Sequence, residues 1–590
     1  MGKSYELNDF LEEDFGYRQK LSFLPPKFRF IDYLFWLFIF VLLFWSLKLF
    51  LVDYSKLFPL AEGNYYYKIL FYPPRGNILS ADGKILATSI KSYDLLIDLV
   101  ILRQSKEIFE ETIDFLKKIK IIDNYLTEEE IRKNLTEKNQ IVLRNIEIKD
   151  ALLIKNRNLP SLIVIDSFKR FYPEKETLAH ILGTLTFENN NFSGSTGIEK
   201  IYNDYLIGIS GYKKYLRTSE GKIIKELEKK DPQEGFTLVT TINFKLQKIV
   251  YEEFSKYLDE IQRKKGAAVF LDKEGRVLSL VSLPSFDNNL FTSFYHSPEE
   301  KEKIKKILTD SNSPLFNRAV SGLYSPGSIV KPIVALAGLE MNKIDPQTQI
   351  FSSGELKIKG PNGKIFIFRD WKVHGWTNLY KAIKDSVNIY FYKLGELIGY
   401  ENLINWYHQV KLEEPTGIDI SGEKNGYLPQ KSQYFLGDIY NISIGQGEIL
   451  ITPLKMALLA QLLGLNEIKK PYIVERIIDN EGKIIFQQRN DYLLKNFFDE
   501  EKIKIIQNAL RGVVSEGMAR KLENIPLKIA GKTGTPEMGT KVNGIFIGYF
   551  PADNPQIFFS LLLEDAPNMS LDAVEAIFRI LNRAVKENVF

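Results

Sequence analysis

The sequence contains no cysteine. Disulfide bonds, thiol chemistry and zinc sites with cysteine ligands are therefore excluded. Histidine is nearly as scarce, and its four copies lack the H-x-x-x-H spacing of a shared metal site. These copies are His180, His296, His374 and His408. We expect neither a metal ion nor a cofactor.

An excess of one charge is also missing. The 78 basic and 74 acidic residues nearly cancel, which leaves a formal net charge of +4 over 590 residues. This balance argues against a nucleic-acid-binding protein, which would carry a strongly basic surface. With 45% hydrophobic residues the composition is that of a folded protein, and the length predicts two or three domains.

Only one long apolar run is present, YLFWLFIFVLLFWSLKLFLV at 33–52. As a helix it would measure about 30 Å, the thickness of a bilayer core. A cleaved signal peptide would be shorter and followed by a small-residue cleavage site, and a buried core helix is seldom apolar all round. The run therefore predicts a single-pass signal anchor.

The charges beside this run predict its orientation. Lys20, Lys27 and Arg29 precede the run, whereas only Lys56 follows it closely. By the positive-inside rule we expect the N-terminus to lie in the cytoplasm. The anchor would cross the cytoplasmic (inner) membrane, and everything after Val52 would lie in the periplasm or extracytoplasmic space.

The remaining chain divides near residue 260, where a mixture of short strands and charged helices gives way to a strongly hydrophobic hairpin. A hairpin about Asp82-Gly83 and a helix over 106–118 predict a small α+β domain, here called the pedestal. Further on, a hydrophobic hairpin at 266–284 and strands after 527 flank a mainly helical middle, so both ends should form one sheet with helices around it. The predicted divisions are a tail 1–32, an anchor 33–52, the pedestal 53–260 and a C-terminal domain 261–590.

Three short motifs occur in order within the C-terminal domain. They are S-I-V-K at Ser328–Lys331, S-V-N at Ser386–Asn388 and K-T-G at Lys532–Gly534. Each alone is weak, because an N-cap serine with a surface lysine, a helix-start Ser/Asn pair or an exposed turn would explain it. The ordered triple is specific.

The first motif predicts a nucleophile. Pro326-Gly327 breaks the chain before a helix, so Ser328 enters a first turn that favours developing negative charge. Lys331 shares its helix face and could accept the serine proton when neutral. Burial and a second cation, Lys532, would lower the pKa of Lys331.

The other two motifs predict supporting groups. The Ser386 hydroxyl could relay a proton to a leaving amine, and the Asn388 amide could orient Lys331 and hold a substrate carbonyl. Lys532 and Thr533 suit a terminal carboxylate, and Gly534 would let a substrate backbone lie along its strand.

An oxyanion hole is expected between two chain regions. The backbone N–H groups of Ser328 and Thr535 would point at the developing negative charge of the attacked carbonyl.

The triple resembles that of penicillin-binding proteins and class A β-lactamases. From about Phe71 onward the chain resembles class B penicillin-binding proteins, through PPRGNIL, DGKILA, RFYPEKETLAHILG (170–183) and ISIGQGEILITPLKMA (442–457). The stretch FRDWKVHGWTNLYKAIKDSVNIYFYKLGELIG (368–399) is similar to the elongation type. Arg75 and Gly76, within PPRGNIL, could either transmit contact with a partner or have a purely structural role.

This resemblance implies a fold and an activity. The fold would be a serine β-lactamase-like transpeptidase domain, α/β with a mainly antiparallel sheet, on an anchored α+β pedestal. Ser328 would attack the penultimate D-Ala of a peptidoglycan stem peptide, expel terminal D-Ala and pass the acyl group to a neighbouring amine. Penicillin and other β-lactams would acylate the same serine. The implied partners are a SEDS-family glycosyltransferase and scaffold proteins of the elongation complex.

Some elongation-type members carry a zinc site whose cysteine lies inside the second motif. That position is Val387 here, so we expect no zinc despite Asp370 and His374. Three alternatives stay open from the sequence. A carboxypeptidase and a β-lactamase share the acylation step but differ in how water is activated, and a β-lactam sensor would lack a motif residue or carry a signalling module.

Overall fold

A computed structural model describes residues 26–53, 66–136, 140–188, 191–218, 223–293, 296–360 and 363–590, without the side chains of 26–29, 52–53 and 538. Most of the predicted tail, residues 1–25, lies outside this range. The chain forms two compact units. One takes in the chain up to Ile69 with Lys213–Glu228, and the other contains Leu70–Tyr212 and Lys229–Phe590.

The first unit contains the predicted anchor. An α-helix over Pro26–Lys48 continues as a π-type turn over Leu49–Asp53. Among the described residues, Phe30–Leu51 is the one helix long and apolar enough to cross a membrane, with none of its apolar surface buried. By its length and composition this helix fits the predicted membrane anchor. A three-stranded sheet follows, formed in order by Tyr66–Phe71, Gly211–Arg217 and Ile223–Lys230.

The pedestal is built on a mixed sheet of seven strands. The predicted hairpin about Asp82-Gly83 is confirmed as the antiparallel pair Ile78–Leu79 and Ile85–Asp98. The other strands are Gln140–Ile146, Leu162–Phe171, Thr237–Thr240, Val474–Ile478 and Ile484–Gln487. The last two come from far along the chain, since Thr237 pairs with Ile478. One sheet therefore crosses the boundary expected near residue 260.

Helices cover this sheet. The helix predicted over 106–118 is confirmed as Lys106–Lys118, capped by the Ser105 hydroxyl and buried along Phe109, Ile113 and Leu116. Shorter α-helices are Leu99–Leu102, Ile121–Asn124, Glu128–Asn134, Ile148–Arg157, Ala179–Leu182, Gly197–Ile201 and Asn203–Leu206, with 3-10 turns at Lys175–Leu178. Two strands, Leu185–Glu188 and Asn191–Gly194, form a small hairpin.

Arg75 and Gly76 occupy constrained positions at the centre of the pedestal. The fully buried Glu199 carboxylate pairs with Arg75 at 2.7 Å and with Arg170 at 2.6 Å. A Cβ at position 76 would lie 1.8 Å from the carbonyl oxygen of Phe236, so no larger residue fits there. Both residues of the signature thus have structural roles in this fold.

Hydrogen bonds also join the pedestal to the C-terminal domain. The Gly197 amide donates to the Ser421 hydroxyl, and the Tyr202 hydroxyl donates to Asp419, each at 2.8 Å. Asp419 further accepts the backbone N–H groups of Ile473 and Val474. The segment 419–421 therefore fastens the pedestal helix Gly197–Ile201 to the strand that completes the pedestal sheet.

The C-terminal domain is organised around a five-stranded antiparallel sheet, as its strand pattern predicts. In spatial order the strands are Val277–Leu283, Gly266–Asp272, Ile557–Leu563, Gly544–Phe550 and Ala530–Gly534. Ala267 pairs with Leu562, which joins the two ends of the domain. The strand Ala530–Gly534, here called the KTG strand, is the sheet edge.

Helices pack on both faces of this sheet. On one face lie Phe244–Glu260 and Ser570–Lys586. The other α-helices are Pro298–Thr309, Arg318–Ser321, Lys331–Glu340, Leu379–Lys384, Asn388–Ile398, Tyr400–Gln409, Leu436–Ser443, Pro453–Leu465 and Glu500–Ser515. Short 3-10 turns are Asn288–Phe291, Gly327–Val330 and Arg520–Asn524.

Short strands interrupt the helical middle, which the sequence pattern did not predict. Ile350–Ser352 pairs with Gly375–Thr377, and Glu355–Lys359 forms a hairpin with Ile365–Arg369. Phe368 packs edge-on against Tyr392 and Tyr440, which fixes the hairpin on two helices. The remaining short pairs are Glu467–Lys469 with Tyr492–Lys495 and Glu537–Met538 with Lys541–Val542.

Glu199→Gln should strongly destabilise the pedestal. The change leaves two arginines around a neutral amide, and breaking a buried ion pair typically costs about 3–5 kcal/mol. Glu111→Gln is the matched control, because its pair with Arg157 is about half exposed on both sides and should contribute less than about 1 kcal/mol. Urea unfolding of the detergent-solubilised chain measures both, and equal losses would contradict this account.

Candidate active site

Ser328 lies in the 3-10 turn Gly327–Val330, which runs directly into the helix Lys331–Glu340. Two contacts with Gly445 hold the approach to this turn. The Ser325 hydroxyl and the Gly327 amide both donate to the Gly445 carbonyl at 2.8 Å. Gly327 has a φ of +58°, which glycine adopts without strain. The turn thus presents Ser328 at a helix N-terminus, as its Pro-Gly break predicts.

Lys331 is fully buried, and its amino group is held from a second helix. Its Nζ donates to the Ser386 carbonyl at 2.8 Å and to the Asn388 Oδ1 at 2.7 Å, and lies 3.3 Å from the Ser386 hydroxyl. The Phe391 ring lies 5.4 Å away. The first and second motifs therefore meet at this amine.

The electrostatics of the site favour a neutral Lys331. Burial lowers its pKa to about 7, while the Asp370 carboxylate acts in the opposite direction. Lys532, which the sequence analysis named as a cause of this shift, is itself the more affected group. Burial first, and then the charge of Lys331, hold the pKa of Lys532 well below its usual value. Two buried amines close together thus disfavour a doubly protonated site.

Ser386 reaches Lys331 through an unusual backbone conformation. Its φ is +55°, in the left-handed region that residues with side chains seldom adopt. This conformation aims both its carbonyl and its hydroxyl at the amine. Such strain persists where surrounding contacts enforce it, and it is concentrated at functional sites. The carbonyl acceptor could not have been identified from the sequence, since every residue has one.

The KTG strand packs against the serine turn. A Cβ on Gly534 would lie 2.9 Å from the Pro326 carbonyl, so the two segments approach closely only because residue 534 is glycine. A Cβ on Gly327 would lie 3.3 Å from the Thr535 backbone nitrogen, which places that N–H beside the turn. Lys532 is fully buried, and its Nζ donates to the Thr533 carbonyl at 3.2 Å.

The segment Gly445–Gly447, within the stretch 442–457 that carries part of the family resemblance, connects these parts. Gly445 accepts from the serine turn, and the Gln446 side-chain amide donates to the Thr535 carbonyl at 3.4 Å. Residues from all three motifs therefore come together at the edge of the sheet. The arrangement can activate a hydroxyl through a neutral amine and receive an extended chain along the free strand edge.

Asp370 and His374 lie together with fully buried side chains, His374 Nε2 being 3.6 Å from Asp370 Oδ1. Their donor set does not fit zinc. A closed zinc site needs four ligands, usually thiolate and imidazole, yet the neighbouring Val387 is apolar and Ser352 offers only a neutral hydroxyl. Within the described parts of the chain no group of three or more His, Cys, Asp or Glu could hold a metal ion.

The edge of the antiparallel sheet thus carries a half-buried Ser328 and two fully buried lysines, with the three motifs of active-serine enzymes. Comparisons with known proteins give the class. Residues 266–583 match the penicillin binding protein transpeptidase domain, and residues 71–240 match the penicillin-binding protein dimerisation domain.

Similar proteins agree. The peptidoglycan D,D-transpeptidase MrdA of Haemophilus influenzae is 31% identical over 87% of this chain and 85% of its own. That of Escherichia coli K12 is 27% identical over 84% and 83%. The penicillin-binding protein PBP2 of Helicobacter pylori, solved in a complex with MreC, superposes with a TM-score of 0.73 at 25% identity, covering 89% of this chain and 100% of that one.

The chain belongs to the penicillin-binding protein transpeptidase family. It is a membrane-anchored peptidoglycan transpeptidase of the serine type, with an apolar N-terminal helix, a pedestal of the dimerisation-domain type and a transpeptidase domain whose sheet is mainly antiparallel. The predicted class, fold and activity are thereby confirmed.

Acylation by benzylpenicillin should rise with pH through about 7. Lys331 must be neutral to accept a proton, and its pKa is about 7, so the rate falls as the pH drops below that value. Stopped-flow measurement with the detergent-solubilised chain between pH 5 and 9 gives the profile. A rate independent of pH over this range would exclude Lys331 as the titrating base.

Proposed function

We propose that Ser328 is the nucleophile of a D,D-transpeptidase reaction and that Lys331 is its general base. The observation that carries this proposal is the buried Lys331 amine, held by Ser386 and Asn388 one helical turn after Ser328. A neutral amine in that position has its lone pair available for the serine proton.

The reaction proceeds in two acyl transfers. The Ser328 oxygen attacks the carbonyl carbon of the penultimate D-Ala while its proton passes to Lys331. The C–N bond then breaks, and the proton reaches the departing D-Ala amine through the Ser386 hydroxyl. An amine from a neighbouring stem peptide attacks the acyl-serine, loses its proton along the same route and regenerates Ser328.

Substrate binding is assigned to the KTG strand. Its outer edge is unpaired with other strands of the sheet, so a stem peptide can add to it with backbone hydrogen bonds at Thr533–Thr535. The incoming terminal carboxylate would favour protonation of Lys532, whose burial otherwise disfavours charge. The backbone N–H groups of Ser328 and Thr535 lie on adjoining segments suited to an oxyanion hole.

The cellular role follows from the similar proteins. We assign cross-linking during cell-wall elongation, with a SEDS-family glycosyltransferase and an elongation-complex scaffold protein as partners of the anchor and pedestal. A PBP2 solved with MreC and a 25% identical chain from a peptidoglycan synthase complex, with a TM-score of 0.68, support this assignment. We place the anchor, residues 33–52, in the inner membrane with its N-terminus in the cytoplasm, followed by the pedestal over 53–260 and the transpeptidase domain over 261–590.

Ser328→Ala should abolish covalent labelling by fluorescent penicillin, because the attacking oxygen is removed. Lys331→Ala should slow labelling by about 10²–10⁴-fold, the usual contribution of a general base. Lys532→Ala should slow it less, since the nucleophile and its base remain. Ser432→Ala, at an exposed serine of the same domain, is the control and should label normally.

Mass spectrometry of the labelled chain locates the adduct, and an assay with a D-Ala-D-Ala peptide and an acceptor amine measures the transfer. The acyl-enzyme formed with penicillin should be long-lived, because its leaving group stays tethered. An adduct on another residue would refute the Ser328 assignment. Rapid release of hydrolysed penicillin would instead indicate a β-lactamase.

A further inference from the structure

Asp370 is a buried carboxylate that the reaction scheme above does not use. It follows the hairpin strand Ile365–Arg369, and its side chain has no solvent exposure. Among the described residues its only ion-pair contact within 4 Å is with His374, whose two ring nitrogens have no hydrogen-bond partner there. A buried acid is costly unless it is well hydrogen-bonded, so its bonds indicate its role.

Asp370 Oδ1 accepts the backbone N–H of the next residue, Trp371, at 3.0 Å, whereas Oδ2 reaches the asparagine helix, defined here as Asn388–Ile398. Asp370 Oδ2 accepts the backbone N–H of Ile389 at 3.0 Å, and the Ser352 hydroxyl lies 3.4 Å from the same oxygen. The helix needs this acceptor, because Val387 precedes it and supplies no side-chain cap. A carboxylate at a helix N-terminus is stabilising for both partners.

The preceding residue fixes the Asn388 side chain. The Arg369 carbonyl accepts the Asn388 Nδ2 at 3.2 Å. With its NH₂ group engaged there, the amide must turn its oxygen towards Lys331, where Oδ1 accepts from Nζ at 2.7 Å. The opposite amide orientation would set two donors against each other. The Arg369 carbonyl therefore holds the Asn388 side chain, and the Asp370 carboxylate holds the backbone of the next residue, Ile389.

We propose that Asp370 is a positioning residue of the transpeptidase: without a metal ion, it caps the asparagine helix through Ile389, thereby keeps Asn388 aligned on Lys331, and acts on the Lys331 amine through its negative charge. This inference rests on the proposed function of Lys331. It accounts for a buried acid–imidazole pair whose surroundings, Val387 and Ser352, are too poor in donors for zinc.

Asp370 also acts on Lys331 by its charge. The groups that face the lysine are the Ser386 carbonyl and hydroxyl, the Asn388 amide, the Phe391 ring and the Lys532 amine. All are neutral or cationic. The Asp370 carboxylate supplies the negative charge that opposes burial and keeps the amine basic enough to accept a proton.

The test compares Asp370→Asn and Asp370→Ala with the native full-length chain in detergent. The asparagine retains an oxygen that accepts from Ile389 but loses the charge. We therefore expect a melting temperature close to that of the native chain and an acidic limb of penicillin acylation displaced to lower pH by about half a unit or more. If Asp370 had a purely structural role, its replacement by asparagine would leave the acidic limb of the pH profile in place.

Asp370→Ala loses both the cap and the charge, so acylation should fall about tenfold or more below that of Asp370→Asn at pH 8. Glu355→Gln is the control on the same hairpin: it is exposed, pairs with Lys357 at 2.8 Å and should change neither rate nor profile. If Asp370→Ala does not fold, Asp370→Asn alone decides the question through its pH profile.

An Asp370→Asn profile that superposes on the native one, with an unchanged rate, would overturn the proposal. So would stoichiometric zinc in the purified native chain whose removal slows acylation. Failure of the native chain to form any adduct at Ser328 would instead refute the proposed function, which keeps the two outcomes distinct.

Discussion

The Lys331 amine is buried where water cannot solvate it, so the surrounding residues must supply its hydrogen-bond acceptors. A buried amine without acceptors would cost several kcal/mol. Its acceptors come from Ser386, in the turn between two helices, and from Asn388, the first residue of the asparagine helix, so that helix must keep a fixed register with the helix of Lys331. The left-handed conformation of Ser386 is one cost of that register.

Successive layers of packing maintain this arrangement. The asparagine helix is held by a β-hairpin, and the hairpin is held in turn by Phe368 against Tyr392 and Tyr440. On the other side, the serine turn is fixed by Gly445 and by the close approach of Gly534. Because these contacts are short and directional, a small displacement in one layer would also shift the groups around the Lys331 amine.

Local features of this fold could be predicted from the sequence. The helix Lys106–Lys118 has a clear apolar face, and the strands around 266–284 and after 527 have strong hydrophobic runs. The three motifs could be found because their residue types and order are specific. Which of their atoms meet could not be predicted, since the acceptors include the backbone carbonyl of Ser386 and that of Arg369.

Non-local features could not be predicted. The pairing of Thr240 with Val474 joins segments with no shared local signal, and strands of three to five residues near 350–377 are too short for periodicity to reveal. Asp370 was considered only as a possible metal ligand. Its contact with Ile389 depends on the hairpin, which was itself not predicted.

The shared pedestal sheet constrains how the protein matures. Thr237–Thr240 pairs with Val474–Ile478, so the pedestal sheet cannot be completed until most of the catalytic part has been synthesised. Until then the partly folded pedestal exposes an open strand edge, a surface prone to mispairing with other chains. The edge stays open until Val474–Ile478 is available to cover it, which is later than the order of the domains along the chain suggests.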